Sequence, residues 1–445
     1  TPLCAHLRSC REPGISYVKW HLGSGLDGEL LWVPCAEDRE KGVLTGVDSV
    51  CEECFEVPTT EVGEFAGFRG SPGILARPEP LDDALRETEL PKGVGTILDI
   101  APVNQDRRSV WLLLAESGVV IRFDADTGDW ARILSVGIPS EPDEKRTTGQ
   151  SIRRRLHASN DGRFAAVVND YGRYGQLVDV VSGESILALD GGDYYQETVP
   201  FSFAFAEVQG RGVAIHRTTW NRLDVLDPST DELLTGRDVA TAPGKEGRSE
   251  HYLDYFHGAL YASPSGGHII DDGWIWQPTG TLTTWSVERW MSDNVWESED
   301  GRTKKDICAR DYYWDHAVAW IDEKRVAIEG IGDDDDAMIE GARIFHLASL
   351  GTASLGTALP GAAGDRGGSG SPRARELIAF AGPKGAFFSD GTWLYSSGGS
   401  GLSRWDLGDG ARTGQLQGFR PTHHHRGAGE LVQLADGVML RWRMA

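Results

Sequence analysis

Residues 119–130 read VVIRFDADTGDW, a short apolar strand that ends in Asp124 and continues into a turn. The element recurs along the chain as GQLVDVVSGESIL (175–187), NRLDVLDPSTDELL (221–234) and LSRWDLGDGARTGQL (402–416). Aspartate also precedes the turn in these copies, at Asp179, Asp224 and Asp406. Aspartate accepts hydrogen bonds from backbone N–H groups two residues on, and glycine supplies the positive φ that closes a tight turn. The element therefore predicts a recurring β-hairpin.

A second element starts a buried strand from a polar turn. It appears as SNDGRFAAVVND (159–170), SPSGGHIIDDGWIW (263–276), DEKRVAIEGIG (322–332) and LADGVMLRWRM (434–444). The two elements alternate at intervals of roughly 40 to 55 residues, the period of a four-stranded propeller blade. Abundant glycine (56 residues) and tryptophan (15 residues) fit an all-β protein of short strands and tight turns.

The repeats divide the downstream part of the chain into blades. Counting predicts units near 94–148, 156–193, 200–240, 253–294, 314–361 and 373–418, with a partial unit at 420–445. The last unit has too few strands to stand alone, and a strand around Phe68 to Ala76 is expected to complete it and close the ring. The repeats therefore predict seven blades, and six or eight blades are the alternatives. We therefore predict a cysteine-rich module (1–58), a connector (59–92) and an all-β propeller (93–445).

The repeats resemble those of the WD40-type β-propeller family across the predicted propeller region. Trp405 and Asp406 are the one well-placed copy of the Trp-Asp pair that names the family, and most blades have Phe-Asp, Val-Asp or Leu-Asp instead. Members of the family mostly serve as rigid interaction platforms. The resemblance therefore implies protein binding rather than catalysis, although a fold alone does not establish a function.

Five of the six cysteines fall within the first 54 residues, and CEEC (51–54) has the spacing of a zinc knuckle. ISYVKWHL and ELLWVPC read as a hairpin around SGLDG (24–28), an arrangement that resembles a zinc ribbon. Structural zinc takes four N or S ligands and stabilises segments that bury little core. The predicted zinc ligands are Cys4, Cys35, Cys51 and Cys54, with His6 and Cys10 in reserve. Disulfides, free thiols or a redox CxxC are the alternatives.

The formal net charge of the chain is −23. Such a field repels phosphate backbones and anionic membranes, so neither nucleic acid nor membrane is expected as a partner. Between Thr1 and Thr60, ten acidic residues outnumber five basic ones, which also argues against nucleic-acid binding by the cysteine-rich module. Clustered cysteines with a CxxC favour a metal site in a reducing compartment, which predicts a cytoplasmic protein.

The long segment 286–316 is aromatic and mixed in charge, and we predict that it carries partner contacts. Its candidate anchors are Trp290, Trp296, Tyr312, Tyr313 and Trp314. Replacing Trp290 and Trp296 by alanine is expected to weaken partner binding with little change in melting temperature. The sequence thus predicts a non-catalytic scaffold or adaptor in a multi-protein assembly. The alternative is a propeller enzyme or small-molecule binder that acts through the central channel.

Three polar runs resemble possible sites, and each is predicted to be a structural feature of the propeller. His423–His425 is expected to be a polar inner strand rather than a metal site, because consecutive strand residues alternate faces. Asp333–Asp336 lacks the spacing of an EF-hand loop and is predicted to be a solvated hairpin tip. Arg153–Arg155 is expected to be a solvated run, with docking of an acidic peptide or a phosphate as the alternative.

Overall fold

A computed structural model describes most of the chain from residue 79 onwards. The described residues are 79–81, 84–141, 150–238, 251–347 and 374–444, together with the backbone of three upstream strands. Those three strands are β1 (Val18–His21), β2 (Glu29–Trp32) and β3 (Thr60–Val62). Strand β1 pairs antiparallel with β2, as the predicted hairpin around residues 24–28 requires, and pairs parallel with β3.

Seven sheets of at least four strands follow one another along the chain, which confirms the predicted all-β, seven-bladed propeller. Two short strands precede them, β4 (Glu79–Pro80) and β5 (Arg86–Glu89). The chain divides into two compact units, and each is described by itself. The larger comprises residues 83–309 and 419–445, and the smaller comprises residues 1–82 and 310–418.

The larger unit contains the first four sheets, in each of which the strands pair in chain order. The first comprises β6 (Ile97–Gln105), β7 (Arg108–Ala115), β8 (Val119–Asp124) and β9 (Trp130–Ser135). The second comprises β10 (Arg153–Ala158), β11 (Phe164–Asp170), β12 (Tyr174–Asp179) and β13 (Ser185–Asp190). The third comprises β14 (Phe203–Val208), β15 (Arg211–Thr219), β16 (Arg222–Asp227) and β17 (Glu232–Leu233). The fourth comprises β18 (Phe256–Ala262), β19 (His268–Ile275), β20 (Thr279–Ser286) and β21 (Lys305–Asp311), the last of which continues into the smaller unit.

The smaller unit contains two further sheets. One comprises β22 (Val318–Trp320), β23 (Arg325–Ile331), β24 (Ile339–His346) and β25 (Arg375–Ala381). The other comprises β26 (Ala386–Ser389), β27 (Trp393–Gly398), β28 (Gly401–Asp406) and β29 (Arg412–Gln417), with β4 added in parallel to β29. Strand β25 lies beyond the Gly-rich stretch, so this blade extends past the boundary near residue 361 that the sequence predicted.

The last sheet belongs to the larger unit and joins the two ends of the propeller sequence. It comprises β30 (His423–His425), β31 (Glu430–Ala435) and β32 (Val438–Arg443), and the upstream strand β5 pairs antiparallel with β32. A strand from the predicted connector therefore completes the last blade. That strand is Arg86–Glu89, whereas the suggested segment Phe68 to Ala76 lies outside the described residues.

Two short helices interrupt the fourth sheet, α1 (Val287–Ser292) and α2 (Glu297–Asp300). Ser286 caps α1, since its hydroxyl accepts the backbone N–H of Arg289 at 3.3 Å. In the described part of the chain, 3₁₀ turns also occur at Gln196–Thr198 and Asp335–Ala337. Among the described residues, no helix has the length and apolar character needed to cross a membrane.

The recurring aspartate turns are confirmed at three of the four predicted positions. Asp124 accepts the backbone N–H groups of Asp126 and Thr127 at 3.0 and 3.3 Å. Asp179 and Asp406 each accept N–H groups two and three residues on. The prediction for Asp224 is wrong.

In the third sheet the turn aspartate is Asp227, which accepts the N–H of Ser229 at 2.8 Å. Asp224 lies three residues earlier, inside β16, where it is buried. NRLDVLD contains two aspartates, and the strand is long enough that the second one reaches the turn.

An arginine sixteen positions before the turn aspartate forms an ion pair with it in the first three sheets. The pairs are Arg108 with Asp124, Arg163 with Asp179, and Arg211 with Asp227. The arginine stands at the start of the second strand and the aspartate at the end of the antiparallel third strand. Each ion pair therefore links the start of the second strand to the end of the third strand in the same blade.

The core of each unit is built from the alternating apolar positions of these strands. The larger unit buries clusters that centre on the second strands of its sheets, for example Leu112, Val167 and Ile215. The smaller unit buries a cluster that includes Ala327, Phe380 and Trp405. Loops at the strand ends are thereby held on a packed framework and can present side chains in fixed positions.

Candidate interaction surface

The predicted anchor Trp290 belongs to the core. Its side chain is 0% exposed and packs against Trp285 at a ring-centroid distance of 5.8 Å. The indole N–H donates to the carbonyl of Val295 at 3.1 Å. A fully buried side chain cannot act as an exposed contact, so the prediction does not fit Trp290.

Trp296 is half-buried and stacks on His251, with ring centroids 4.2 Å apart. The guanidinium of Arg237 lies 5.7 Å from the Trp296 ring and 5.8 Å from the Trp290 ring. Arg237 is itself buried between the carboxylates of Asp224 and Glu299. The helical part of the 286–316 segment is therefore docked onto the third sheet through this cluster.

The other three predicted anchors lie in the smaller unit. Tyr312 is 58% exposed, whereas Tyr313 and Trp314 are half-buried. The Tyr313 ring stacks on His316 at 3.5 Å, and the guanidinium of Arg310 lies 4.7 Å from the same ring. Binding through these residues stays a prediction.

The predicted zinc ligands Cys4, Cys35, Cys51 and Cys54, and the reserve ligands His6 and Cys10, all lie outside the described residues. Asp334, Asp335 and Asp336 gather carboxylate oxygens within 4.8 Å of one another on the turn between β23 and β24. Asp334 also accepts the backbone N–H of Asp336 at 3.0 Å, as expected for a polar hairpin turn.

A cluster of six aromatic side chains stands out in the larger unit. We call it the aromatic surface, and it consists of Tyr194, Tyr195, Trp220, Phe256, Trp274 and Trp276. Three members are exposed, Tyr194 by 44%, Tyr195 by 38% and Trp276 by 41%. Phe256 and Trp274 are almost fully buried beneath them. Solvent-facing aromatic rings of this number mark a binding surface more often than an ordinary loop.

The rings of the aromatic surface contact one another in fixed geometries. Phe256 and Trp274 stack in parallel, with centroids 4.1 Å apart and planes 6° apart. Tyr194 lies over Phe256 at 5.8 Å, and Tyr195 meets Trp276 edge-on at 5.1 Å. Trp220 packs against Phe256 at 4.5 Å. Buried rings thus support the exposed ones, which limits the entropy that binding would cost.

The members come from four separate loops or strand ends of the larger unit. Tyr194 and Tyr195 follow β13, Trp220 occupies the turn after β15, and Phe256 begins β18. Trp274 and Trp276 stand at the end of β19, two residues apart and therefore on one face of the strand. The indole N–H of Trp274 donates to the hydroxyl of Thr198 at 3.2 Å, which ties the Tyr194 loop to this strand.

Two glycines allow β18 and β19 to approach closely beneath the aromatic surface. A Cβ on Gly258 would lie 1.9 Å from the carbonyl oxygen of Asp272, and one on Gly273 would lie 2.1 Å from that of Phe256. Only glycine fits at these two positions. The close approach brings Phe256 and Trp274 into contact, since the two residues are register partners.

A buried His–Asp pair anchors the same strand ends. The Nδ1 atom of His257 lies 2.5 Å from Asp271 Oδ2, and the N–H of Gly258 donates to Asp271 Oδ1 at 3.0 Å. The backbone N–H of His257 donates to the carbonyl of Trp220 at 3.0 Å. The pair therefore fixes the start of β18 and the Trp220 turn together.

The sequence of the chain matches no model of a known protein family and no curated protein. Similar solved structures include a chain from the crystal structure of a mitotic checkpoint complex, at 12% identity and a TM-score of 0.47, covering 83% of this chain and 95% of that chain. Another is the β-propeller domain of Cps50 (Swd1) from Myceliophteria thermophila, at 11% identity and a TM-score of 0.38, covering 79% and 84%.

A cavity lies beside the first strands of five sheets in the larger unit. The cavity has a volume of about 760 Å³, and its lining includes Arg153–Arg155, His157 and His424. Burial, together with neighbouring arginines, lowers the pKa of His157 to about 4 and that of His424 to about 3. Both histidines are therefore neutral at pH 7.

The arginine run that lines this cavity is not simply solvated. Arg153 and Arg155 reach the buried carboxylate of Asp170 at 3.1 and 2.9 Å. Asp170 also accepts the backbone N–H of Phe201 at 3.2 Å. Arg153 is nevertheless exposed, as expected of a solvated run, whereas Arg155 is half-buried against the same carboxylate.

A hydrogen-bonded carboxylate connects the first, second and last sheets. Asp99 Oδ1 lies 2.8 Å from His423 Nε2, and Asp99 Oδ2 accepts the backbone N–H of Leu156 at 2.7 Å. Burial favours the neutral acid, but the contacts with His423, Leu156 and Arg155 outweigh it, so the pKa of Asp99 lies below its usual range.

Replacing Asp99 by asparagine is expected to lower the free energy of unfolding at pH 7 by about 1 to 2 kcal/mol. Because the folded pKa is lowered, the contribution of Asp99 is complete above pH of about 4 and is lost as the pH falls through the folded pKa. The difference between wild type and Asp99→Asn should therefore shrink below pH of about 4 in urea titrations. An equal difference at all pH values would contradict this, and Glu116→Gln on an exposed turn is the control.

Proposed function

We propose that this chain is a non-catalytic interaction scaffold and that the aromatic surface is a main contact for a partner protein. The exposed, internally packed cluster of tyrosine and tryptophan rings carries the proposal. Tyrosine and tryptophan are enriched among the residues that dominate binding free energy at protein interfaces. Their rings bury a large area and lose little conformational freedom when a partner binds.

The cluster also differs from the ordinary exposed aromatics of this chain. Trp130 is 42% exposed, about as much as Trp276. Trp130 lies on β9, whereas Trp276 contacts Tyr195, Phe256 and Trp274. A scattered exposed ring is normal on a protein surface, and a supported cluster is what a binding site requires.

The double variant Tyr194→Ala/Trp276→Ala is expected to lose bound partners while the thermal midpoint falls by no more than about 5 °C, because both rings are already partly exposed in the wild type. Each hot-spot side chain contributes about 2 kcal/mol or more, so two of them reduce affinity by at least about a hundredfold. The measurement is affinity purification with mass spectrometry beside thermal unfolding. Trp130→Ala is the matched control and should keep every partner.

Two outcomes would contradict the proposal. One is retention of all stoichiometric partners by Tyr194→Ala/Trp276→Ala. The other is their loss from Trp130→Ala as well, which would show that any exposed indole contributes. If the double variant loses stability, the single variants Tyr194→Ala and Trp276→Ala replace it, because each keeps the other exposed ring and the buried base of the surface.

For the cysteine-rich module we further propose a structural zinc ion held by Cys4, Cys35, Cys51 and Cys54. The clustered cysteines and the CxxC at 51–54 support it. Purified wild-type protein is expected to contain a single zinc ion, and Cys51→Ser/Cys54→Ser is expected to contain none by elemental analysis. Full zinc content in that variant would contradict this ligand set, and Cys308→Ser, a half-buried cysteine on β21, is the control.

A further inference from the structure

The charges beside the aromatic surface indicate what kind of partner it accepts. The loop that carries Tyr194 and Tyr195 reads DGGDYYQE (190–197) and contains three carboxylates and no basic residue. Asp193 has a side chain that is 76% exposed, and Asp190 has one that is 49% exposed. The rim next to the exposed rings is therefore acidic.

A fourth carboxylate approaches from the loop before β18. Asp254 is exposed, two residues before Phe256. Burial raises the pKa of Tyr252, and the negative charge of Asp254 raises it further. The acidic rim thus borders the surface along both the Tyr194 loop and the Phe256 loop.

The arginines nearest the surface are already engaged within the protein. Arg173 donates to both oxygens of Asp190, at 2.7 and 2.8 Å, and these bonds raise its pKa further. Arg217 is buried, with its guanidinium 4.8 Å from the Phe201 ring. Arg222 is held by Asp224 at 2.8 Å. Arg173 also lies 3.8 Å from Asp193, so one guanidinium faces two carboxylates of the Tyr194 loop. With Glu197 and Asp254 added, the carboxylates beside the aromatic surface outnumber the arginine that pairs with them.

The faces of aromatic rings and carboxylate groups both attract a positively charged ligand. The face of an indole or phenol ring is electrostatically negative, so a cation above it is attracted. Exposed carboxylates beside the ring add to this attraction and steer the approach of a positively charged segment. The net charge of −23 acts in the same direction at longer range.

We propose that the aromatic surface binds a lysine- or arginine-bearing segment of a partner protein, an inference that rests on the proposed function. The cationic side chain lies against the exposed rings of Tyr194, Tyr195 and Trp276. Asp193 and Asp254 pair with flanking basic residues. An anionic peptide, a nucleic acid or an anionic membrane is repelled by the same carboxylates.

The test uses the full chain and a phage-displayed library of random linear peptides. Peptides are selected on wild type after depletion on Tyr194→Ala/Trp276→Ala, so that only ligands of the aromatic surface remain. We expect the selected peptides to be enriched in lysine and arginine. A synthetic copy of a selected peptide should lose affinity when its basic residues are replaced by glutamine.

The double variant Asp193→Asn/Asp254→Asn should weaken binding of that synthetic peptide by about threefold to tenfold at low ionic strength. Its matched control is Asp106→Asn/Asp436→Asn, which removes the same charge from exposed turns of the first and last sheets and should leave the affinity unchanged. The variants replace exposed carboxylates, so calorimetry can compare them at equal stability.

The possible outcomes separate the two proposals. Selected peptides that are acidic or purely apolar would overturn the cationic partner and leave the scaffold function standing. An equal loss in both aspartate double variants would also overturn it, because general attraction would then explain the binding. Failure to select any peptide that distinguishes wild type from Tyr194→Ala/Trp276→Ala would count against both.

Discussion

Replacement of Arg237 by alanine is expected to lower the free energy of unfolding of the larger unit by about 3 to 5 kcal/mol. The side chains of Arg237, Asp224 and Glu299 are exposed by 1%, 3% and 1% respectively. Arg237 lies 3.0 Å from Asp224 and also donates to Glu299. Removal of the guanidinium leaves the buried Glu299 carboxylate without its ion-pair partner and leaves Asp224 with Arg222 alone, which is a costly way to break such a cluster.

The same variant should also release the helical insertion of the fourth sheet. Arg237 donates to the carbonyl of Leu223 at 3.0 Å and lies against the rings of Trp290 and Trp296, so it joins β16 to α1 and α2. Hydrogen exchange should therefore rise first in 286–304. Urea unfolding of the full chain measures the change in free energy.

Two controls make the Arg237 result interpretable. Arg289→Ala removes an arginine from α1 that pairs with Asp293 at 3.1 Å and has a side chain 38% exposed, so the expected loss is at most about 1 kcal/mol. Arg237→Lys keeps the charge but loses the planar fork, and it should fall between wild type and alanine. Equal stabilities of Arg237→Ala and Arg289→Ala would contradict the buried cluster.

Replacement of Trp290 by alanine is expected to cost about 3 to 5 kcal/mol, because a fully buried indole leaves a cavity that its neighbours fill only in part. The neighbours that lose contacts include Trp285 and Arg237. The freed carbonyl of Val295 loses its hydrogen bond as well. Thermal and urea unfolding provide the measurement.

Trp296→Ala is the natural comparison for Trp290→Ala. Trp296 is half-buried and contacts His251 and Arg237, so its loss should cost about 1 to 2 kcal/mol. Similar, small effects of both substitutions would restore the original expectation that the two tryptophans are surface anchors. A large effect of Trp290→Ala alone agrees with its place in the core.

The blade pattern could be read from the sequence because it depends on local rules. Alternating apolar residues, aspartate and glycine at fixed spacing specify hairpins such as those at Asp124 and Asp179 without knowledge of distant contacts. Asp227 was missed because two aspartates, three residues apart, satisfy the same rule in NRLDVLD. Only the pairing of β15 with β16 decides between them.

The aromatic surface could not be assembled from the sequence, since its residues come from loops that are far apart in the chain. Local signals were present nonetheless. Two tyrosines follow a Gly-Gly-Asp turn at 191–193, and Trp274 and Trp276 end a strand with one residue between them. Large rings at strand ends and turns indicate exposure, but their convergence depends on the packing of neighbouring sheets.

The segment 286–316 departs from its prediction for the opposite reason. Its aromatic and charged composition suits an exposed loop, yet a Ser286 cap, a buried Val287 and the Arg237 cluster turn part of it into a packed insertion. Its last residues include β21, the fourth strand of the blade. The composition of the segment does not reveal that Arg237, which lies beside the third sheet, supplies a buried positive charge to it.

The pairing of β5 with β32 has a consequence for the order of events during synthesis. Glu89 pairs with Val438, a partner that leaves the ribosome about 350 residues later. Until then β5 has left the ribosome, but β32, the strand with which it pairs, has not yet been synthesised. At about 5 to 20 residues per second, this interval lasts on the order of half a minute. The nascent chain therefore carries this strand unpaired until Val438 has been made, and the short, charged sequence RETE of the strand disfavours pairing with the wrong edge in that interval.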